Sequence, residues 1–277
     1  MNRKAISILG CGWLGLPLAQ HLVSLGFNVK GSTTTLSKLK ILEEAGIEPF
    51  LIEARPQLKG DNIRSFFESD TLFLDIPFKR HLADPTVYQS QVEAVLDHVR
   101  LSPVSFVIFT SSTSVYPDHL GQVSEETVFV PDNPRSQVLR KIEQMLLEQK
   151  KFQATVIRFG GLYGASRHLG QFLSREKGKT IDNGNSPVNL IHLDDGIDII
   201  TRIIVSDVRG EIFNAVSDHH PPRKELYSKA AAALGLPAPA FSRSGGSRRK
   251  VVDNTKLKQR LNFCFKYPDP LEALEKS

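Results

Sequence analysis

Ala5-Ile6-Ser7-Ile8-Leu9, followed at once by Gly10-Cys11-Gly12-Trp13-Leu14-Gly15, is the stretch on which the fold turns. A short apolar run that stops at a glycine reads as a strand buried on both faces. Leu14, Leu18, Leu22 and Leu25 then recur at helical spacing, and Gly26 stands where a helix C-cap belongs. Residues 27–31 resume as a strand. This strand–helix–strand unit fills about thirty residues, the length that a right-handed crossover between parallel strands requires.

A G-x-G-x-x-G spacing on its own says little, but between a strand and a helix it has the context that gives it meaning. Gly10 permits a tight turn, and Gly12 lets backbone approach a pyrophosphate without a Cβ in the way. Gly15 lets helix and strand pack closely, while the helix N-terminus offers N–H groups and a partial positive charge. Gly10, Cys11, Gly12, Trp13, Leu14 and Gly15 are therefore the expected cradle of a dinucleotide. About twenty residues further on, an NAD site wants an acid for the ribose 2′-hydroxyl. Here the chain reads Asn28-Val29-Lys30-Gly31-Ser32-Thr33-Thr34-Thr35, then Lys38, and no acidic residue occurs before Glu43. A carboxylate would repel a 2′-phosphate, whereas Ser32, Thr33 and Thr34, with Lys30 or Lys38 nearby, would accept one. NADP(H) is favoured over NAD(H); the plainer alternative is a polar turn capping the next helix.

The alternation continues through strands expected at 47–52 and 71–76, a helix carrying Val92, Val95, Leu96 and Val99, and a strand at 105–110. A helix carrying Val138, Leu139, Ile142, Met145 and Leu146 then leads to a strand at 154–159. Strands alternating with helices specify an α/β, doubly wound parallel sheet of Rossmann type. Ligands bind such sheets at the carboxyl ends of the strands, which adds Ile76, Pro77, Thr110 and Ser111 to the expected cofactor contacts. Beyond about residue 160 the rhythm loosens, with a strand near 211–216 and a helix near 223–234. The expected organisation is a dinucleotide-binding domain at 1–160 and a smaller mixed α/β substrate lobe at 161–277, packed closely enough to count as one domain.

Composition narrows the function classes. With 40% hydrophobic and 23% charged residues the chain has the make-up of an ordinary globular protein, so disorder is not indicated. The net charge of +5 is spread thinly, with no stripe of Lys and Arg to track nucleic acid. Cys11 and Cys264 have no metal-ligand spacing and suggest no disulfide, which fits a reducing cytoplasm and no metal site. Met1-Asn2-Arg3-Lys4 before an apolar run imitates a signal peptide, but the run holds the spaced glycines and no convincing small-residue cleavage site. No stretch approaches the roughly 20 apolar residues of a membrane span.

Several motifs carry a resemblance. Phe109-Thr110-Ser111-Ser112-Thr113-Ser114-Val115-Tyr116 resembles the strand end of extended short-chain dehydrogenases, the NAD(P)-dependent epimerase/dehydratase class. Val188-Asn189-Leu190-Ile191-His192-Leu193-Asp194-Asp195 resembles their second-lobe signature. Arg249-Lys250-Val251-Val252-Asp253-Asn254 and Tyr267-Pro268-Asp269-Pro270 resemble their closing segment, and with Gly12-Trp13-Leu14-Gly15 they point to the YeeZ-like branch of atypical members. The resemblance implies a Ser-Tyr-Lys centre, with Tyr and Lys written Y-x-x-x-K on one helix face so that the Lys lowers the pKa of the Tyr. Ser112 matches the serine. The helix at 135–149 contains no tyrosine, and alignment through Glu143 puts Arg135 and Leu139 at the two positions. None of the five tyrosines has a lysine four residues later. The usual acid–base pair is missing.

Tyr116, four residues after Ser112, and Tyr163, in Gly160-Gly161-Leu162-Tyr163-Gly164, are the substitute candidates, each set against the reading of a packed tyrosine. His192 is a third, since imidazole titrates near neutrality. Arg167 and His168 could grip an anionic substrate, and Asn189 and His192 lie on the substrate-side signature. Arg243, Arg248 and Arg249 read as a surface loop or as a diphosphate grip, as the resembled sugar-nucleotide enzymes have there. Two functions stay open: an NADP(H)-dependent oxidoreductase or epimerase-like enzyme acting on a small polar or sugar-nucleotide-like substrate, and a non-catalytic NADP(H)-binding redox sensor. The resemblance also allows a homodimer built on a helix pair.

Overall fold

The computed structural model describes residues 4–79, 83–170, 180–242 and 248–274. Its elements run β1 (Ala5–Leu9), α1 (Gly15–Ser24), β2 (Asn28–Thr33), α2 (Leu39–Glu44), β3 (Glu48–Ala54), β4 (Leu58–Gly60), α3 (Ile63–Phe66), β5 (Thr71–Leu74), α4 (Thr86–Arg100) and β6 (Phe106–Ser112). They continue with β7 (Gln122–Val123), α5 (Pro134–Leu147), β8 (Gln153–Phe159), β9 (Gly161–Tyr163), β10 (Thr180–Ile181), β11 (Leu190–His192) and α6 (Leu193–Val205). The last are β12 (Ile212–Ala215), α7 (Arg223–Ala233), β13 (Ala240–Phe241), β14 (Val251–Val252), α8 (Thr255–Leu261) and α9 (Pro270–Ala273).

Eight strands form one sheet in the order β12-β8-β6-β5-β1-β2-β3-β4. The pairs β1–β2, β1–β5, β2–β3 and β5–β6 are parallel, and β3–β4 is antiparallel. The order reverses at β1, which places the glycine turn at the switch point where such sheets bind their ligands. Strand apolarity explains the layering: Ile6, Ile8, Leu72, Phe73, Leu74, Val107, Ile108 and Phe109 are all buried, as helix-covered parallel strands must be. The stripe Val92, Val95, Leu96 and Val99 of α4 is fully buried, as its periodicity requires.

The chain divides into two compact units interleaved along the sequence. One comprises Met1–Ser111, Asn133–Ile157 and Thr201–Ile212, the other Ser112–Asp132, Arg158–Ile200 and Phe213–Ser277. Long-range pairing accounts for the interleaving: β7 pairs with β14, which ties residues 122–123 to 251–252 within the second unit. The second unit also holds the parallel pairs β9–β11 and β10–β13. It has an apolar cluster of its own, built on Leu169, Leu190, Leu226, Ala230 and Ala273. No described helix is long and apolar enough to cross a membrane.

Candidate functional site

The glycine loop sorts its three glycines by what surrounds them. Gly10 has φ +116°, and a Cβ there would collide with the carbonyl of Asp75; a Cβ on Gly15 would collide with the carbonyl of Gly10. Both glycines are spent on packing. At Gly12 a Cβ would meet nothing closer than the Gly10 carbonyl oxygen at 4.0 Å, so its outer side is open. Helix α1 starts immediately beyond, with no side-chain cap and no acidic residue in its first turn. Gly12 N–H already donates to Gly10 O (2.7 Å), so what the turn offers a pyrophosphate is close approach past Gly12 to a helix N-terminus without a carboxylate, and these residues fit the group. Leu14 is buried and Trp13 partly so. Cys11 is packed inward: Gly31 lies against its Sγ, and burial pushes its thiol up to about 12.

The end of β2 is stitched to this loop. Gly10 N–H donates to Ser32 Oγ (3.0 Å) and Cys11 N–H to Ser32 O (2.8 Å). Ser32, 2% exposed, is therefore a staple for the glycine loop as well as an expected 2′-phosphate contact. Thr33 Oγ1 accepts from Thr35 N–H (3.2 Å). Lys30 turns away, donating through Nζ to the carbonyls of Ser65 (2.5 Å) and Glu68 (3.1 Å), so it drops out as a phosphate partner. Thr34 and Lys38 remain on the surface at this strand end.

Beside the glycine loop runs the segment 75–79, which follows β5. Ile76 is partly buried and its carbonyl accepts from Tyr88 Oη (3.0 Å); Pro77 is exposed. Thr110 Oγ1 is buried without a partner among the described residues. Ser111 points to α5 instead, donating from Oγ to Glu143 Oε1 (2.7 Å), and Arg140 Nη1 lies 3.3 Å from Glu143 Oε2. Glu143 is wholly buried, so Ser111 is anchored in a charged network rather than held open for a ligand.

Helix α5 carries Arg135 and Leu139, the residues that the sequence resemblance sets at the two acid–base positions. Pro134 at the helix start and the reciprocal bonds of Asn133 and Ser136 fix its first turn. Arg135 donates from Nη1 to Lys79 O (3.0 Å) and from Nη2 to Phe78 O (3.1 Å), and its guanidinium lies 3.8 Å from the centre of the Phe78 ring. Leu139 is buried in the core.

In the second unit, Ser112 is the last residue of β6. It is partly buried, and its Oγ accepts from Ser114 N–H (3.1 Å) to cap a short helical turn. Tyr116 is 1% exposed. Its hydroxyl accepts from Arg158 Nη1 (2.6 Å) and lies within reach of Asn214 Oδ1 (3.0 Å) and Ser124 O (2.9 Å). Burial raises its pKa, with Arg158 pulling the other way. A tyrosine so enclosed is a structural member and not an exposed proton donor. Arg158, only 1% exposed, was not anticipated; the signal was a charged residue inside the apolar run Gln153–Phe159, which demands buried partners.

Asn189 spends its amide on backbone. Its Nδ2 donates to Lys250 O (2.9 Å) and its Oδ1 accepts from Val252 N–H (2.8 Å), so it works as a strand tie and not as a substrate hook. Lys250 in turn donates to the carbonyls of Thr113 (3.1 Å) and Tyr116 (2.8 Å) and pairs with Asp118 (2.9 Å), where Arg248 also lands at 3.3 Å. Arg243 lies outside the described residues.

Tyr163, His168 and His192 come together around a cavity of about 380 Å³ that Asp194, Leu169 and Tyr267 also line. The Tyr163 hydroxyl is buried without a partner among the described residues, and burial, with Asp195 adding to it, pushes its pKa up. His192 Nδ1 accepts from Asp194 N–H (3.2 Å), and its ring stacks on Tyr267 at 3.7 Å and meets Tyr163 edge-on at 5.1 Å. Burial lowers the His192 pKa, with Asp194 pulling the other way. Arg167 and His168 are both exposed.

Comparison with known proteins agrees with this fold. The profile described as the NAD dependent epimerase/dehydratase family matches residues 88–215. Protein YeeZ of Escherichia coli strain K12 is 35% identical over 271 residues, 97% of this chain and 98% of that protein. Among solved structures, a short-chain dehydrogenase/reductase superfamily protein of Agrobacterium tumefaciens with bound NAD gives a TM-score of 0.78 at 17% identity, covering 98% of this chain and 95% of that one. UDP-glucose 4-epimerase of Thermotoga maritima with UDP-glucose gives 0.77 at 17% identity, over 98% and 96%. At such identities these structures speak for the fold.

Proposed function

The chain belongs to the NAD-dependent epimerase/dehydratase family, and on that premise we propose that it binds NADP(H) at the glycine loop and acts as an oxidoreductase or epimerase-like enzyme on a small polar or sugar-nucleotide-like substrate. The observation that carries the reading is the contrast among the glycines: two are filled by packing, and Gly12 alone opens outward at the start of α1. The dinucleotide supplies the hydride chemistry when bound. The preference for the 2′-phosphorylated form rests on the exposed Thr34 and Lys38 and on the lack of an acid at the end of β2. Structures of the same fold were solved with NAD, so the fold itself does not argue for the 2′-phosphorylated form.

In this reading Ser112 polarises the reacting oxygen by donating from Oγ, which keeps its own proton while accepting from Ser114 N–H. Of the two tyrosines considered, Tyr163 has a hydroxyl without a partner among the described residues and is the proton donor; Tyr116 is taken up by Arg158 and Asn214. No lysine stands four residues from Tyr163 to ease its proton off, and burial holds that proton more tightly still. Turnover is therefore expected to be slow, and because the Tyr163 hydroxyl stays protonated across the neutral range, no gain from it is expected as pH rises.

One observation favours a second reading. Arg135 and Leu139 fill the two acid–base positions with a loop contact and a core side chain, as a non-catalytic redox sensor could tolerate. Hydride transfer separates the two. NADPH consumption would be followed against a panel of small carbonyl compounds and sugar nucleotides, with Ser112→Ala beside the parent. Turnover that Ser112→Ala lowers by about 100-fold or more supports the enzyme, since a positioned group of this kind typically contributes 10²–10⁴-fold. Saturable NADPH binding with no transfer to any of them supports the sensor.

A further inference from the structure

We infer that Arg135 is a positioning residue for the dinucleotide site, holding the loop 75–79 against the glycine turn by latching onto Phe78. This assignment holds only if the dinucleotide reading above does. The near end of the loop is already fixed. Asp75 N–H donates to Leu9 O (3.0 Å), and the Asp75 carbonyl lies so close to Gly10 that no Cβ would fit between them. A shift of the loop is therefore a shift of the turn that carries Gly12.

The far end is held by one residue from each of two helices, α4 and α5. Tyr88 donates to Ile76 O (3.0 Å) and stacks its ring on Phe78, with centroids 4.3 Å apart and planes 8° from parallel. Arg135 lies 3.8 Å from the centre of the same ring. Two groups that close to one centroid cannot share a face, so Phe78 is clasped between them. The guanidinium fork then takes the carbonyls of Phe78 (3.1 Å) and Lys79 (3.0 Å). A planar fork with fixed donor directions suits two adjacent carbonyls, which a lysine's single ammonium would hold less well.

Helix electrostatics make the placement informative. An arginine in the first turn of a helix faces the positive end of the helix dipole, and the first turn of α5 has no acidic residue to offset it. The residue is held there by what it reaches. Asn133, Pro134 and Ser136 make that turn stiff, so the latch is mounted on a rigid base. A ligand that needs an ordered loop binds more weakly by the fraction of time the loop is ordered. If losing the latch leaves it competent about one tenth of the time, the dissociation constant rises about tenfold.

The test is an NADPH titration of the full chain followed by Trp13 emission, with Arg135→Ala, Arg135→Lys, Phe78→Ala and the double variant Arg135→Ala/Phe78→Ala. Lys141→Ala, an exposed residue on the same helix, serves as control, and amide hydrogen exchange of residues 75–79 is measured on each. The expected result is a rise of about tenfold in Kd for either alanine variant, with little more in the double variant because both break one device. Arg135→Lys should fall between, Lys141→Ala should match the parent, and exchange at 75–79 should quicken as affinity drops. Unchanged affinity in Arg135→Ala, with or without a lower Tm, overturns the positioning role and leaves the dinucleotide reading standing. A parent protein that binds neither NADPH nor NADH removes the dinucleotide reading, and the positioning role with it.

Discussion

The glycine loop and the first turn of α5 sit in one compact unit, and both occupy places that the family uses, yet they have been treated in opposite ways. In the loop, each glycine is spent as a dinucleotide site would spend it, and Ser32 is recruited to staple the turn. At α5, the two positions that the sequence resemblance matches to the family's Tyr and Lys hold an arginine bonded to backbone and a buried leucine. If the proposed dinucleotide site binds, the difference teaches that binding and acid–base chemistry are separable on this fold. One depends on backbone geometry that glycines impose, the other on two side chains that can be exchanged while the helix stays.

The sharpest way to break the comparison is at the glycines. Gly15→Ala would drive a methyl into the Gly10 carbonyl, so it should lower stability by at least about 3 kcal/mol or abolish folding, read from denaturant midpoints. Gly12→Ala meets open space and should leave stability within about 0.5 kcal/mol while weakening NADPH. Equal stability losses at both positions would mean that Gly12 is a packing glycine like the others.

Next in size is an attempt to restore the lost lysine. Leu139→Lys would bury an ammonium in an apolar environment and should cost about 2–4 kcal/mol, whereas Leu139→Met should cost under about 1.5 kcal/mol. Should Leu139→Lys prove neutral, α5 would not have been repacked around its new residues. A smaller effect is expected from Ser32→Ala, which leaves Gly10 N–H without its acceptor: about 1–2 kcal/mol, together with weaker binding of both dinucleotides. A loss confined to NADPH would instead make Ser32 a direct reader of the 2′-phosphate.

The smallest effect concerns Cys11. Burial lifts its thiol from the usual 9.0 to about 12, so the folded protein should resist thiol alkylation at Cys11 up to about pH 9 while the exposed Cys264 reacts. The unfolded chain ionises first, so this thiol favours folding below pH 9.0 and the contribution is lost as pH rises towards 12. Mass spectrometry of the labelled protein reads both sites. Rapid labelling of Cys11 would show that the loop opens.

The alternating core was legible because it depends on local periodicity: β1 ends where the apolar run ends, and the buried stripe of α4 is the one its spacing announces. Strand ends were less so. Reading polar residues as the end of a strand places the limits at Gly31 and Thr110, but β2 runs through Thr33 and β6 through Ser112. Ser32 and Ser111 can stay in strands because Gly10 and Glu143 satisfy their hydroxyls, partners that lie 22 and 32 residues away. The edge strand β4 has three residues, too few to show a period. The same distance effect hid Arg158, whose partners Tyr116 and Phe129 lie far along the chain, and the tie from Asn189 to residues 250–252. Spacing names the residue types; only pairing across the chain says whether a hydroxyl or an amide is free to act.

Trp13, the single tryptophan, lies inside the glycine loop and gives the most direct measurement. Its emission would be followed as the protein is titrated with NADPH and then NADH, with Gly12→Glu alongside. Saturable quenching that is tighter for NADPH and absent in Gly12→Glu is the predicted result. Saturable binding that Gly12→Glu leaves untouched, or no binding of either dinucleotide by the parent, would contradict the claim that the open side of Gly12 is the cofactor site.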